Sequence, residues 1–147
     1  MIEAADYSAA ARHLQGKGKP EWRALLYVRC GMLSAARECV GESDDVVGAV
    51  VEMAAGEWVR AREKWAKIEG EVAGVGEAVC EVYLGCLAEA REKLEGLVEL
   101  DEGGRGAVFN LCTVYELCGD QAKGLKLGLA EKVAAQGREL MRDVFKM

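Results

Sequence analysis

One eight-residue phrase occurs three times: Gly31-Met32-Leu33-Ser34-Ala35-Ala36-Arg37-Glu38, Gly56-Glu57-Trp58-Val59-Arg60-Ala61-Arg62-Glu63 and Gly85-Cys86-Leu87-Ala88-Glu89-Ala90-Arg91-Glu92. Each copy reads Gly, any residue, a large apolar residue, two more residues, then Ala-Arg-Glu, and a weaker fourth copy starts at Gly119. Gly suits a tight turn that ends a helix because it tolerates positive φ. The apolar residue and the Ala are three apart, on one face of the helix that follows. The phrase therefore marks the turn and second-helix start of a repeated helical hairpin. The expected fold class is all-α, a solenoid of about four hairpins plus terminal helices, and solenoids work chiefly by holding other molecules.

The register around each hairpin Gly supports this. Seven residues before it stand Ala24, Ala49, Ala78 and Cys112, and five after it stand Ala36, Ala61, Ala90 and Gly124, all small. Two after it stand Leu33, Trp58, Leu87 and Gln121; nine after it, Val40, Trp65, Leu94 and Gly128. Small residues at matched points let two backbones approach, and large ones beside them fill the gap to the next hairpin.

This pattern resembles the tetratricopeptide repeat, which has a small residue at its eighth position, Gly near the fifteenth, Ala at the twentieth and an apolar or aromatic residue at the twenty-fourth. Gly85 to Ala90 matches best, continuing into Leu94, Leu97 and Leu100-Asp101. The resemblance implies a tetratricopeptide-like α-α superhelix. Only the spacing from Gly85 to Gly119 equals the usual period of ~34 residues; the shorter spacings from Gly31 to Gly56 and Gly85 predict shorter helices there.

Helices are expected over 2–15, 20–30, 33–41, 45–55, 57–69, 72–84, 86–100, 107–118 and 120–146, in a single domain, 1–147. Residues 1–19 form a capping helix and loop, 20–135 the hairpins, and 136–147 a C-terminal helix that Gly137 separates. Pro20 is placed to start a helix, Ser43-Asp44-Asp45 offers N-caps, and Glu102-Gly103-Gly104-Arg105-Gly106 reads as the most flexible linker.

Composition narrows the function. Net charge is −6 with no basic patch, which counts against nucleic acid and anionic membranes. The acidic N-terminus lacks signal-peptide order, and no apolar run approaches the ~20 residues of a membrane span, so the chain reads as cytoplasmic. The six Cys include no Cys-x-x-Cys, and His13 is the only His; a metal site is not expected, and the Cys read as small buried helix residues. There is no Ser/His/Asp set and no phosphate-cradling Gly loop, so no enzyme and no cofactor are expected. The Arg-Glu of each phrase reads as a solvated helix face, or as an inter-hairpin ion pair. Trp58 and Trp65 read as inter-repeat core.

In repeats of this type the first helix of each hairpin lines the concave face. Positions ten, six and three before the Gly give Leu25 and Val28; Val46, Val50 and Met53; Val75, Val79 and Val82; and Phe109, Thr113 and Glu116. The stripe is mostly apolar. A carboxylate clamp for charged peptides would need Lys, Arg and Asn, and only Asn110 is of that kind. Three readings stay open: the stripe is core; the amphipathic tail Leu140-Met141, Val144-Phe145 fills it; or a partner helix lies in it, with Met53 as an adaptable contact. Val46, Val50, Met53, Val75, Val79, Val82, Phe109, Asn110, Thr113 and Glu116 are thus the candidate partner-binding residues. For Asn110, Tyr115 and Glu116 the alternative is local bonding, with Tyr115 packed between hairpins.

Residues 78–135 carry a further resemblance. Phe109-Asn110-Leu111-Cys112-Thr113-Val114-Tyr115-Glu116-Leu117 follows Val79-Cys80-Glu81-Val82-Tyr83-Leu84-Gly85 and Leu94-Glu95-Gly96-Leu97-Val98, and precedes Leu129 to Ala134. This arrangement resembles the end of the family of the twelfth subunit of the TRAPP (transport protein particle) complex. Those subunits are longer, so the resemblance implies either a C-terminal domain or a short divergent version. It implies a scaffold that binds other subunits, including the large eighth and eleventh, of a vesicle-tethering Rab exchange-factor assembly in ER-Golgi transport or autophagy. It also implies a place at ER-Golgi membranes through that complex, with no direct membrane insertion and no small-molecule substrate.

Overall fold

The computed structural model describes residues 19–43, 45–100 and 104–136, with the single positions 9 and 13. Among these residues the chain is all-helical, with eight helices and no strand: α1 (Pro20–Arg29), α2 (Leu33–Val40), α3 (Val46–Ala54), α4 (Trp58–Trp65), α5 (Glu71–Tyr83), α6 (Leu87–Glu99), α7 (Gly104–Leu117) and α8 (Ala122–Ala135). Of the expected helix over 2–15 only positions 9 and 13 are described, both helical, and the tail beyond 136 with the break at Gly137 lies outside the described residues. No described helix is long and apolar enough to cross a membrane.

The repeated phrase has a direct structural cause. Gly31, Gly56 and Gly85 all have positive φ, between 71° and 82°. At each, the Gly N–H reaches the carbonyl three residues back, on Val28, Met53 and Val82, at 3.0–3.1 Å. The next N–H reaches the carbonyl five back, on Tyr27, Glu52 and Glu81, at 2.8–3.0 Å. This double closure satisfies carbonyls that a helix end leaves orphaned. The residue after the Gly then caps the following helix: the carbonyls of Met32, Glu57 and Cys86 accept from the N–H of Ala36, Ala61 and Ala90. Those three Ala, with Ala24, Ala49 and Ala78, are fully buried. Gly119 also has positive φ, 98°, but α8 starts only at Ala122.

The chain divides into two compact units, Met1–Ile68 and Glu69–Met147. In the first, α1 packs on α2 and α3, α2 on α3, and α3 on α4; in the second, α5 packs on α6 and α7, α6 on α7, and α7 on α8. The same neighbour pattern therefore occurs in each. The first unit's core joins Ala24, Ala36 and Val51, flanked by Tyr27, Val28, Cys39, Val40 and Val47. Among the described residues the second unit's core is the larger, built on Leu94, Val98, Val108, Leu111, Val114, Tyr115, Leu129 and Val133.

Three helix ends differ from the expected ones by three residues or more. α8, expected to run to 146, stops at Ala135, where the Gln136 N–H closes onto the Lys132 carbonyl. α4 stops at Trp65 rather than 69, because Lys67 and Ile68 close short turns onto Lys64 and Trp65 and Gly70 follows at φ 110°. α7 starts at Gly104, so Gly104 to Gly106 are helical rather than linker. The burial of Ala107 and Val108 outweighs the poor helix propensity of Gly.

Candidate partner-binding groove

In the second unit, α5 and α7 lie side by side and leave an open groove of ≈ 360 Å³. Val79, Val82 and Tyr83 line it from α5, and Phe109, Asn110, Thr113 and Leu117 from α7, with the buried Leu94 and Val114 also lining it. Tyr83 is 63% exposed, Phe109 56% and Leu117 54%. Three large apolar side chains are thus open to water around one small depression, the kind of grouping that an apolar partner surface can cover.

The polar residues of the groove bond to their own helix. Asn110 Nδ2 donates to the Gly106 carbonyl at 2.8 Å, and Thr113 Oγ1 to the Phe109 carbonyl at 3.2 Å. Both follow from helix geometry, which puts the carbonyl four residues back within reach of a short polar side chain. The groove can therefore take apolar groups well, while its polar side chains are already engaged.

Five of the ten candidate residues meet here: Val79, Val82, Phe109, Asn110 and Thr113. The others lie elsewhere. Val75 is half-buried and packs against the second unit's core. Glu116 is exposed, and its carboxylate accepts from the buried Lys126 of α8. Val46, Val50 and Met53 are on α3 of the first unit; Val46 is exposed, Val50 and Met53 half-buried. Met53 Sδ accepts from Trp65 Nε1 at 3.1 Å, a contact inside its own hairpin. The sequence reading missed Tyr83 and Leu117, two residues before Gly85 and Gly119. Arg29 and Ala54 hold that place in the first two hairpins, so a switch to large apolar residues was the available signal.

A second hollow of ≈ 250 Å³ lies among α6, α7 and α8, where Val98, Leu111, Leu125 and Leu129 meet Glu95, Tyr115 and Lys132. It is open because Gly124 and Gly128 stand five and nine residues after Gly119, and a Cβ at either would meet nothing within 4 Å. Tyr115 is buried; its hydroxyl donates to Glu95 Oε1 at 2.8 Å, and Arg91 Nε donates to the same oxygen at 2.8 Å. The Arg91 guanidinium also lies 5.4 Å from the Tyr115 ring centroid. Burial opposes ionisation of Glu95, but the hydrogen bonds from Arg91 and Tyr115 outweigh it and hold the carboxyl below its ordinary value. Burial, reinforced by the Glu95 carboxylate, pushes the Tyr115 hydroxyl far up, so it stays a donor.

All six thiols are free, and burial pushes that of Cys112 up. His13 is exposed. No group of three His, Cys, Asp or Glu among the described residues is arranged to hold a metal ion. No family model matches this chain. No curated protein matches it, and no solved structure does.

Proposed function

We propose that this protein is a non-catalytic interaction scaffold, a tetratricopeptide-like helical repeat that holds a partner helix in the α5/α7 groove. The observation that carries this is the exposure of Tyr83, Phe109 and Leu117 around one apolar depression. The tetratricopeptide-like part rests on the recurring Gly turns and on the neighbour pattern that both units share. The finer reading, a cytoplasmic subunit of a TRAPP-type tethering complex, rests only on the residues quoted from 78–135. The alternative, a stand-alone adaptor for a peptide or helix, uses the same groove.

The test is affinity purification of the tagged chain from its own cells with mass spectrometry, wild type beside Phe109→Asp. Phe109 is exposed, so the substitution should leave the circular dichroism spectrum unchanged. Stoichiometric recovery of TRAPP subunits, lost in Phe109→Asp, is the result expected of the scaffold reading. Recovery of unrelated proteins sharing a short motif would favour the adaptor. Partners retained in full by Phe109→Asp would remove the groove from the reading.

A further inference from the structure

The charge of the molecule is divided as sharply as its core. Residues 1–68 carry ten Lys and Arg and ten Asp and Glu, whereas residues 69–147 carry nine against fifteen, so the net −6 of the chain belongs to the second half. The groove lies in that half. Its two helices carry Glu71, Glu77, Glu81 and Glu116 against one base, Arg105. Lys93, from α6, serves both Glu77 at 2.7 Å and Glu81 at 3.0 Å, and Lys126, from α8, serves Glu116, so these groups leave a balance of one negative charge, none of it on the groove lining, and the larger negative field is that of the unit as a whole.

An apolar depression in a negatively charged unit selects for an apolar segment flanked by positive charge. Resting on the groove reading above, we infer that the natural occupant is a basic amphipathic helix, with large apolar residues on one face and Lys or Arg on its flanks. Two alternatives fit the field less well. A second copy would bring the same acidic unit to the groove and raise repulsion, and an acidic peptide meets the same penalty.

The probe is a pair of synthetic amphipathic helical peptides with the same Leu face, one with Lys and one with Glu on the polar face, titrated into the full chain by calorimetry. Binding of the Leu/Lys peptide, weakened by added salt, and none of the Leu/Glu peptide, is the expected result. Phe109→Asp separates the groove from general attraction. It makes the unit more acidic, so non-specific binding would tighten, while groove binding should weaken roughly ten-fold or more.

Equal binding of both peptides, lost in Phe109→Asp, would overturn the basic partner and keep the groove. Undiminished Leu/Lys binding to Phe109→Asp would overturn the site. If neither peptide bound the intact chain, the basic partner would be overturned, while the groove reading would stand or fall on whether Phe109→Asp loses the partners that co-purify. A dimer by sedimentation that Phe109→Asp makes monomeric would give the groove to a second copy. Leu/Lys binding only after deletion of residues 137–147 would give it to the tail. Either result would overturn the proposal.

Discussion

The two units use the same pair of sequence positions to join their hairpins, with different chemistry. In the first, Arg37 stands six after one hairpin Gly and Glu52 four before the next, and they meet at 2.8 Å, with Arg60 adding a second contact to Glu52 at 3.3 Å. In the second, Arg91 and Tyr115 hold those positions, and the guanidinium lies over the ring while the hydroxyl bonds Glu95. The position is therefore a node set by hairpin geometry, and either a carboxylate or an aromatic ring can occupy it. The first unit, which has fewer buried apolar side chains among its described residues, joins its hairpins there through charge. The second packs a deep apolar core, and its helices can carry surplus acid and an open groove on the outside.

If the second unit depends on its core, Leu94→Ala should be the most damaging change. Leu94 is fully buried in the main cluster, and its truncation should cost about 3 kcal/mol, read as lost amide-exchange protection in α6 and α7. Glu52→Ala tests the first unit. Glu52 is 5% exposed, but Arg37 and Arg60 are 40% and 53% exposed and can return to water, so the loss should be nearer 2 kcal/mol. All three Trp, 22, 58 and 65, lie in the first unit, so urea unfolding followed by Trp fluorescence reports it. A loss below about 0.5 kcal/mol would make the pair an ordinary surface contact and erase the contrast.

Tyr115→Phe keeps the ring under Arg91 and removes only the hydroxyl bond to Glu95, so it should cost about 1 kcal/mol. The pH dependence sharpens this. Glu95 titrates lower in the folded state than unfolded, despite the opposing effect of burial. Its contribution to stability is present above the unfolded value and is lost as pH falls through the depressed folded value. Tyr115→Phe relaxes the depression, so stability should fall less steeply across that acid range than in the wild type. Equal slopes would mean that Arg91 alone holds Glu95 down.

The turns were legible in the sequence because a Gly at positive φ and an Ala pressed against a facing helix leave few residue choices. Ala24, Ala36, Ala49, Ala61, Ala78 and Ala90 are buried as their register implied. The Ala-Arg-Glu phrase divides between a solvated face and an inter-hairpin pair: Arg37 reaches the next hairpin, while Glu38, Glu63 and Glu92 stay exposed. Trp65 is core at 3% exposure, and Trp58 is half-buried. Buried charge was not legible. Glu52, Lys64, Glu81 and Lys126 are nearly inaccessible, and nothing in their spacing distinguishes them from surface residues. Lys64, for example, reaches the Ser43 carbonyl at 2.5 Å across 21 residues of chain. The groove was half legible, since the apolar stripe identified Val79, Val82 and Phe109 but not Tyr83 and Leu117.

The smallest effect expected is a gain. Gly124 and Gly128 occupy α8 where the earlier hairpins place Ala and a large apolar residue. Neither has the positive φ that would justify Gly, and a Cβ at each would meet open space. Gly inside a helix costs about 0.5–1 kcal/mol relative to Ala. Gly128→Ala should therefore stabilise the protein by that amount, measured as a higher urea midpoint with unchanged slope. Gly85→Ala, at φ 82°, is the opposite control and should destabilise it, because an L side chain is strained there. A neutral or harmful Gly128→Ala would mean that the hollow beside Glu95, Tyr115 and Lys132 holds ordered water or a side chain that the methyl group displaces.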